Sequence, residues 1–402
     1  MKILHTADWH IGKRLHKHYL YEDFNLFIQW LCKLVIDEKI EVILVSGDVF
    51  DLANPSAEAR KQYYQTLVTL KNLNCRLIIT GGNHDSPSML DAPKELLSAL
   101  QMDVIGGLPK NMEDCIIPLP HNENPKVVIA ALPYLRDADV RLANEGNTYE
   151  ERLAAIRKGI QAKFDETAEI CKNKYPKVPA LAMGHLYAAG VSTSESERDI
   201  QIGNQAAFKA EQFNSYFSYV ALGHIHQPQR INTQIPTFYS GSPLMLSFSE
   251  RKDEKRVLLL DTKNGFEPKS IPIPSFRKLL KLKGNLAELK LKLTDLKVEE
   301  NLATLVEIEM QEEHYSTQKL ADLDELVSNF NQENVEIIKH RAHFKNQQLQ
   351  SSEVFGAQQN LADLKPKEVF ESLLKNEAFS EEEKQELLHT FDELKEMQHT
   401  SD

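Results

Sequence analysis

Eight short runs rich in Ile, Val and Leu punctuate the first two-thirds of the chain, and helical spacing of apolar residues fills the gaps between them. The runs are Lys2–Thr6, Glu41–Val45, Arg76–Thr80, Val127–Leu132, Ala180–Met183, Tyr219–Leu222, Thr237–Tyr239 and Arg256–Asp261. Each is bounded by Gly, Asn, Asp or Pro, as buried strands should be. The stretches 22–38, 56–73 and 148–173 read as helices, with Phe24, Phe27, Ile28, Leu31 and Val35 forming one apolar stripe. Strands alternating with amphipathic helices predict a layered α/β domain.

The texture changes near Pro268, Pro272 and Pro274. Between Arg277 and Lys297 stand seven basic residues against Glu288 and Asp295. Thr304–Met310 and Val335–Lys339 then read as strands and Leu320–Phe330 as a helix, together a small α+β module. Asn346–Asn360, rich in Gln and Ser, reads as a linker. Beyond it, Pro366 precedes Val369, Phe370, Leu373 and Leu374. Ser380 and Glu383 then form a capping-box pattern before Leu387, Leu388, Phe391 and Leu394. The expected division is therefore 1–265, 266–345, a linker at 346–360 and a helical hairpin at 361–402.

Charge bears on the choice of partner. The 402 residues carry a net −12, but 351–402 hold 13 acidic and 5 basic side chains, so most of the excess sits in the tail. The objection that an acidic chain avoids nucleic acid is weakened accordingly. The four cysteines are widely spaced with no CxxC pair, which suggests neither a zinc knuckle nor a disulfide framework. No apolar run approaches the ~18 residues of a membrane helix. The first residues turn polar too soon for a signal peptide, so the cytoplasm is the expected address.

Five motifs carry the chemistry, and each closes a predicted strand: Asp8-Trp9-His10, Gly47-Asp48, Gly82-Asn83-His84-Asp85, Gly184-His185 and Gly223-His224-Ile225-His226. Alone, Asp-x-His after a strand is a turn more often than a ligand, Gly-Asp and Gly-His say little, and Gly-Asn-His-Asp fits a hairpin turn, since Asn and Gly favour such positions. Together, at the carboxyl ends of sheet strands, they can converge on one crevice. Asp8, Asp48 and Asn83 offer oxygens, and His10, His185, His224 and His226 offer imidazoles. Such a set without thiolate suits borderline-hard divalent ions, Mn²⁺ first, with Fe²⁺ or Zn²⁺ as alternatives. Two ions about 3.5–4 Å apart, bridged by Asp48, would clamp a phosphoryl oxygen and lower the pKa of water.

In this order the motifs resemble the calcineurin-like metallophosphoesterases. The longer strings Ile3–Gly12, Ser46–Asp51, Gly82–Ser86, Ala221–His226 and Ser240–Pro243 resemble, more narrowly, the bacterial SbcD family of nuclease subunits. The resemblance implies a four-layer αββα sandwich over 1–265, a capping domain and a C-terminal helical hairpin. It implies one metal held by Asp8, His10, Asp48 and His226 and another by Asp48, Asn83, His185 and His224. His84 would stand by the scissile phosphate, stabilising the transition state or protonating the leaving 3′ oxygen. Asp51 and Asp85 would orient His84 or a metal-bound histidine; family members from archaea carry histidine at the Asp51 position, so a structural turn is an equal reading there. Arg277, Lys278, Lys281 and Lys283 would touch the DNA backbone, unless they only solvate a helix face. His5, His16 and His18 fall outside the pattern.

The implied activity is Mn²⁺-dependent 3′→5′ cleavage of duplex ends and endonucleolytic cutting of hairpins and single strands. ATP would be handled by an SbcC-type coiled-coil ATPase docked on 361–402, because the chain has no GxxxxGK[ST] loop. A homodimer within a heterotetramer is implied, through 56–73 and 89–100. The alternatives are a general metallophosphatase acting on phosphoprotein or small phosphoesters, which leaves the basic module and tail unexplained, and a catalytically dead scaffold, which the full set of seven ligands disfavours.

Overall fold

The computed structural model describes residues 1–140, 148–198, 200, 207–231, 234–296 and 302–345, with Lys384, Leu387, Leu388 and Thr390 beyond them. Those last four positions are helical. The expected linker and the rest of the hairpin lie outside the described residues.

Two six-stranded sheets dominate. In the first, Lys2–Thr6, Val42–Ser46, Arg76–Thr80 and Met102–Ile105 run parallel, and Arg256–Asp261 and Lys269–Pro272 extend it antiparallel. In the second, Val127–Ala131, Ala180–His185, Phe217–Gly223 and Thr237–Tyr239 run parallel between antiparallel edges Ile116–Leu119 and Gln229–Ile231.

The alternation of each strand assigns the layers. Ile3, Val42, Leu44 and Ile78 join the buried residues of the second sheet in one core, while Leu4, Ile43, Val45, Leu77 and Ile79 join Phe24, Phe27, Leu31, Tyr63 and Leu67 in another. Successive side chains point to opposite faces, so both faces of the first sheet are covered. Helices Tyr21–Glu38 and Ala57–Asn72 lie on its outer face. Helix Tyr149–Lys174 covers the second sheet through Ile156, Ile160, Phe164 and Cys171. The result is the expected four-layer αββα arrangement.

Strands Met102–Ile105, Ile116–Leu119, Gln229–Ile231 and Lys269–Pro272 were not anticipated. All are edge strands of three or four residues, too short for a periodic signal, and two contain proline, which only an edge tolerates. The described chain divides into two compact units. One is Met1–Leu280 with Val298–Glu307 and Gln332–Ile338. The other takes Lys281–Lys297, Ile308–Asn331 and the chain from Lys339 onward. Within this second unit, helices Leu286–Thr294 and Thr317–Asn329 bury Leu289, Leu293 and Leu323, each helix capped by a side chain, Asn285 or Ser316.

Candidate metal centre

The carboxyl ends of the central parallel strands of both sheets meet in the first unit. There the loop after Lys2–Thr6 supplies Asp8 and His10, and the loop after Val42–Ser46 supplies Asp48. Asn83 and His84 follow Arg76–Thr80, His185 ends Ala180–His185, and His224 and His226 follow Phe217–Gly223. The loops lace together through Asp8 N–H to Gly47 O (3.1 Å) and His10 N–H to Asp48 O (3.0 Å). Asp8, His10, Asp48 and His224 all sit at positive φ, between 44° and 102°. Four non-glycine residues in that sparsely populated region are strained, and such strain collects at functional sites. Packing leaves no slack either: a Cβ on Gly82 would fall 2.1 Å from Asp48 Oδ1, and one on Gly47 2.1 Å from His185 Nδ1.

Three overlapping donor groups result: Asp8, His10 and His226; His10, Asp48 and His84; Asp48, His185 and His224. Within each, the donor atoms lie within 4.8 Å of one another. Asp48 Oδ2 stands 3.6 Å from His10 Nε2 and 3.4 Å from His185 Nε2, so it lies between the outer two groups. Asn83 Oδ1 is 2.9 Å from His185 Nε2 and 3.1 Å from His224 Nδ1.

Divalent ions fit this donor set. His185 Nδ1 donates to the Ser46 carbonyl (3.0 Å), which leaves an Nε2 lone pair facing Asp48 Oδ2 and Asn83 Oδ1, also acceptors. Acceptors gathered without a donor call for a cation. Asp8 Oδ2 and His224 Nε2 are buried with no hydrogen-bond partner, which is costly unless something else binds there. Proton affinities agree. Burial opposes charge on His185, yet Asp48 and then Asp8 outweigh it and push its pKa up to about 9, so the acceptors around Nε2 draw a proton there whose place a divalent ion would take. Burial raises Asp8 to about 7, against the pull of His185 and His226. Burial alone would raise Asp48, but His185, His84 and His10 hold it well below the usual range. His10 is lowered to about 3 by burial, so it offers an unprotonated ring.

His84 is held differently. Its Nδ1 donates to the Asp51 carbonyl (2.8 Å), its N–H to Asp48 Oδ1 (2.9 Å), and its ring meets His10 edge to face at 4.7 Å. Burial lowers its pKa, with Asp48 opposing. The Asp51 carboxylate lies 3.2 Å from His10 Nδ1 and 3.0 Å from Lys13 Nζ. Asp85, expected to orient a histidine, does not. Its carboxylate gathers the N–H groups of Val49, Phe50 and Gly82 at 2.8–3.0 Å and so ties two ligand loops through backbone. His5 is structural: it bonds Tyr219 OH and the Leu222 carbonyl, and is fully buried.

Motif reading missed the support of His226. Ser196 Oγ lies 2.6 Å from His226 Nδ1 and also bonds Glu250 Oε1, while Glu197 Oε1 accepts from His226 N–H at 2.9 Å. A carboxylate only accepts, so the Ser196 hydroxyl gives its proton to Glu250 and accepts from His226 Nδ1–H, leaving Nε2 as the donor atom. Glu250 is fully buried and pairs with Lys255 Nζ at 2.6 Å. Burial would raise Glu250, but His226 and Lys255 hold it well below the usual range. The sequence offered little signal: Glu250 stands in the ordinary string Ser247-Phe248-Ser249-Glu250, a few residues past the Ser240–Pro243 motif.

Among the cations expected on DNA, Arg277 is corrected. It is buried, its guanidinium forks onto Asp23 at 2.8 and 2.9 Å, and Nη1 donates to the Ala303 carbonyl. Those bonds commit its donors inside the fold. In the second unit, Lys281 and Lys283 pair with Glu309 at 3.4 and 2.9 Å, alongside Arg341.

A two-sheet sandwich with a carboxylate, amide and imidazole cluster at its strand ends defines the dimetal phosphoesterases as a class. Consistently, the family model described as calcineurin-like phosphoesterase matches residues 1–228. A second model, described as type 5 capsule protein repressor C-terminal domain, matches 275–378. The chain is 31% identical over 402 residues to the SbcD subunit of nuclease SbcCD from Escherichia coli (strain K12), covering 97% of each. Against the corresponding SbcCD subunits of Rhodobacter capsulatus and Bacillus subtilis it is 36% and 34% identical, covering 70% and 66% of this chain and 71% and 68% of theirs. The chain belongs to the SbcD family of calcineurin-like phosphoesterases.

Proposed function

We propose that the protein is the nuclease subunit of an SbcCD-type complex, a metal-dependent phosphodiesterase acting on DNA. The observation that carries this reading is Asp48 standing between the His10 side of one donor group, Asp8, His10 and His226, and the His185 of the other, with His84 beside it. Asp8, His10, Asp48 and His226 would hold one ion, and Asp48, Asn83, His185 and His224 the other. Bound there, divalent ions supply Lewis acidity toward phosphoryl oxygens and lower the pKa of water. Mn²⁺ is the ion the mixed oxygen and nitrogen donors favour.

The chain's own groups do the rest. Asp51 fixes the His84 tautomer through its carbonyl, leaving Nε2 to face the substrate. An anionic phosphate beside the ring favours its protonated form, the state that hands a proton to the leaving 3′ oxygen. Residues 1–265 form the nuclease domain and 266–345 the DNA-contact domain, in which Lys278, Lys281 and Lys283 give sequence-independent backbone contacts. Residues 361–402, beyond the 346–360 linker, dock on an SbcC-type coiled-coil ATPase that gates 3′→5′ cutting of duplex ends and cleavage of hairpins. Tyr64, Val68 and Leu96, exposed on two helices of the first unit, suit the homodimer of a heterotetramer. No described helix is long and apolar enough to cross a membrane, and a cytoplasmic site of action completes the proposal.

Mn²⁺-loaded protein assayed on an end-labelled duplex, on bis-(p-nitrophenyl) phosphate and on a phosphoserine peptide tests this reading. Cleavage of both diesters with little phosphate release from the peptide is expected. Comparable turnover of the phosphopeptide would favour a general phosphatase.

A further inference from the structure

One surface beside the metal centre has no part in the chemistry described so far. On leaving His10 the chain makes a small hairpin, in which Arg14–Leu15 pairs with His18–Tyr19. Its root is tied to the centre: Lys13 N–H donates to the His10 carbonyl (2.9 Å) and Leu20 N–H to the Lys13 carbonyl (3.0 Å). Lys13 Nζ reaches Asp51, whose carboxylate meets His10 and whose carbonyl meets His84. Farther out, Leu15 is buried, His16 stacks on Phe248 at 6.1 Å, and His18 Nδ1 lies 2.9 Å from Glu336. The hairpin is held from several sides.

Its outer face is left over. The Tyr21 ring lies parallel to that of Tyr19 at 5.2 Å and 11°, and Arg14 Cζ sits over the Tyr19 ring at 5.5 Å. The Tyr21 hydroxyl bonds Ser56 Oγ (2.9 Å) at the cap of helix Ala57–Asn72, which fixes that ring in turn. Three flat groups are thus gathered in one place, yet Tyr19 stays 48% exposed and Arg14 is exposed beside it. Rings left half in water bury little area, so the fold gains little from them. Charge also sets the segment apart. From His10 to Tyr21 it carries Lys13, Arg14 and Lys17 and no carboxylate, in a chain of net −12.

We propose that Tyr19, with Arg14 and Tyr21, is a stacking surface for an unpaired nucleobase of the DNA strand entering the metal centre. This rests on the phosphodiesterase reading above and deepens it. An unstacked base presents a π-face whatever its identity, and aromatic rings and guanidinium planes are the groups that receive it. Exposed rings set among cations, with no carboxylate between them, suit a strand whose bases stack while its phosphates meet the charge. Four residues of chain separate His10 from Arg14, at most about 14 Å when extended. Tyr19 faces Arg14 across the hairpin, so the stacked base belongs to a nucleotide near the cleaved bond.

The test uses full-length Mn²⁺-loaded protein as wild type, Tyr19→Ala and Tyr19→Phe. The substrates are bis-(p-nitrophenyl) phosphate, an end-labelled single strand, and that strand with one abasic nucleotide stepped past the cleaved bond. For Tyr19→Ala, kcat/KM on the single strand, taken relative to the small diester, is expected to fall about 5–150-fold, the worth of one stacked base. Phenylalanine keeps the ring and restores the wild-type ratio. An abasic nucleotide at one position should reproduce the loss in the wild type and cost Tyr19→Ala nothing further, because ring and base act as a pair. A Tyr19→Ala protein with the wild-type ratio overturns the assignment. So does a lowered ratio with equal sensitivity to abasic nucleotides in both proteins, since the hairpin would then serve phosphates alone. Wild-type protein indifferent to an abasic nucleotide at every position overturns it without recourse to a variant. Wild-type protein inert on both the small diester and the strand would contradict the phosphodiesterase reading itself, an outcome the variants cannot imitate.

Discussion

Where Asp48, Asn83, His185 and His224 meet, the support comes largely from backbone: the Ser46 carbonyl orients His185, and the His84 N–H grips Asp48. Where Asp8, His10 and His226 meet, the outer support is charged and comes from distant segments. Asp51 and Lys13 stand behind His10, and Ser196, Glu250 and Lys255 behind His226. Backbone contacts survive side-chain substitution, and charged relays do not. The two halves of one centre should therefore differ in how far their metal affinity depends on residues that never touch the ion.

The largest effect is expected where the halves join. Asp48→Ala should remove both ions and all Mn²⁺-dependent cleavage, and Asp8→Ala or His226→Ala should lose more than the ~10–100-fold of an outer-partner change. Metal analysis beside a nuclease assay checks this. An Asp48→Ala protein that still holds two ions would break the comparison at its centre. His84→Ser should keep both ions yet lose ~10²–10⁴ in rate, the scale of a general acid. If metal is lost from that variant, His84 belongs among the ligands.

The asymmetry itself is sharpened by Ser196→Ala, which cuts the relay but leaves the Glu250–Lys255 pair in place. One of the two Mn²⁺ binding steps should weaken by ~10–100-fold while the other stays put, read as a split in the calorimetric isotherm. Equal weakening of both steps would mean that the halves are not separately supported. Smallest for catalysis is the outer pair of cations. Lys283→Ala should leave turnover of a small diester intact and reduce the salt slope of DNA binding by about one. Arg277→Ala should also spare turnover but cost ~3–5 kcal/mol of stability, because Asp23 is left buried and unpaired. A thermal melt showing no loss would return Arg277 to the surface.

The same contrast explains what could be read from sequence. Asp8, Asp48, His185 and His224 were legible because strand ends in a parallel sheet place short motifs in one crevice, whatever the chain does elsewhere. A layered α/β domain was legible because strands such as Val42–Ser46 are apolar on both faces, while the four-layer αββα arrangement was implied only by the family resemblance. Ser196, Glu250 and Lys255 were not, since they meet His226 through folding alone and lie in strings with no signature. Arg277 was misread for a related reason: a basic run looks like a surface, and only the position of Asp23 254 residues away shows that one member turns inward. Asp85 failed similarly, its carboxylate being spent on backbone that sequence cannot display.

Electron paramagnetic resonance of the Mn²⁺-titrated protein, with the metal content counted on the same sample, tests most directly whether the two donor groups form one centre around Asp48. The shared carboxylate predicts two ions per chain and a spin-coupled signal in the wild type, both lost in Asp48→Ala. A single ion, or two ions with uncoupled signals, would contradict a common centre.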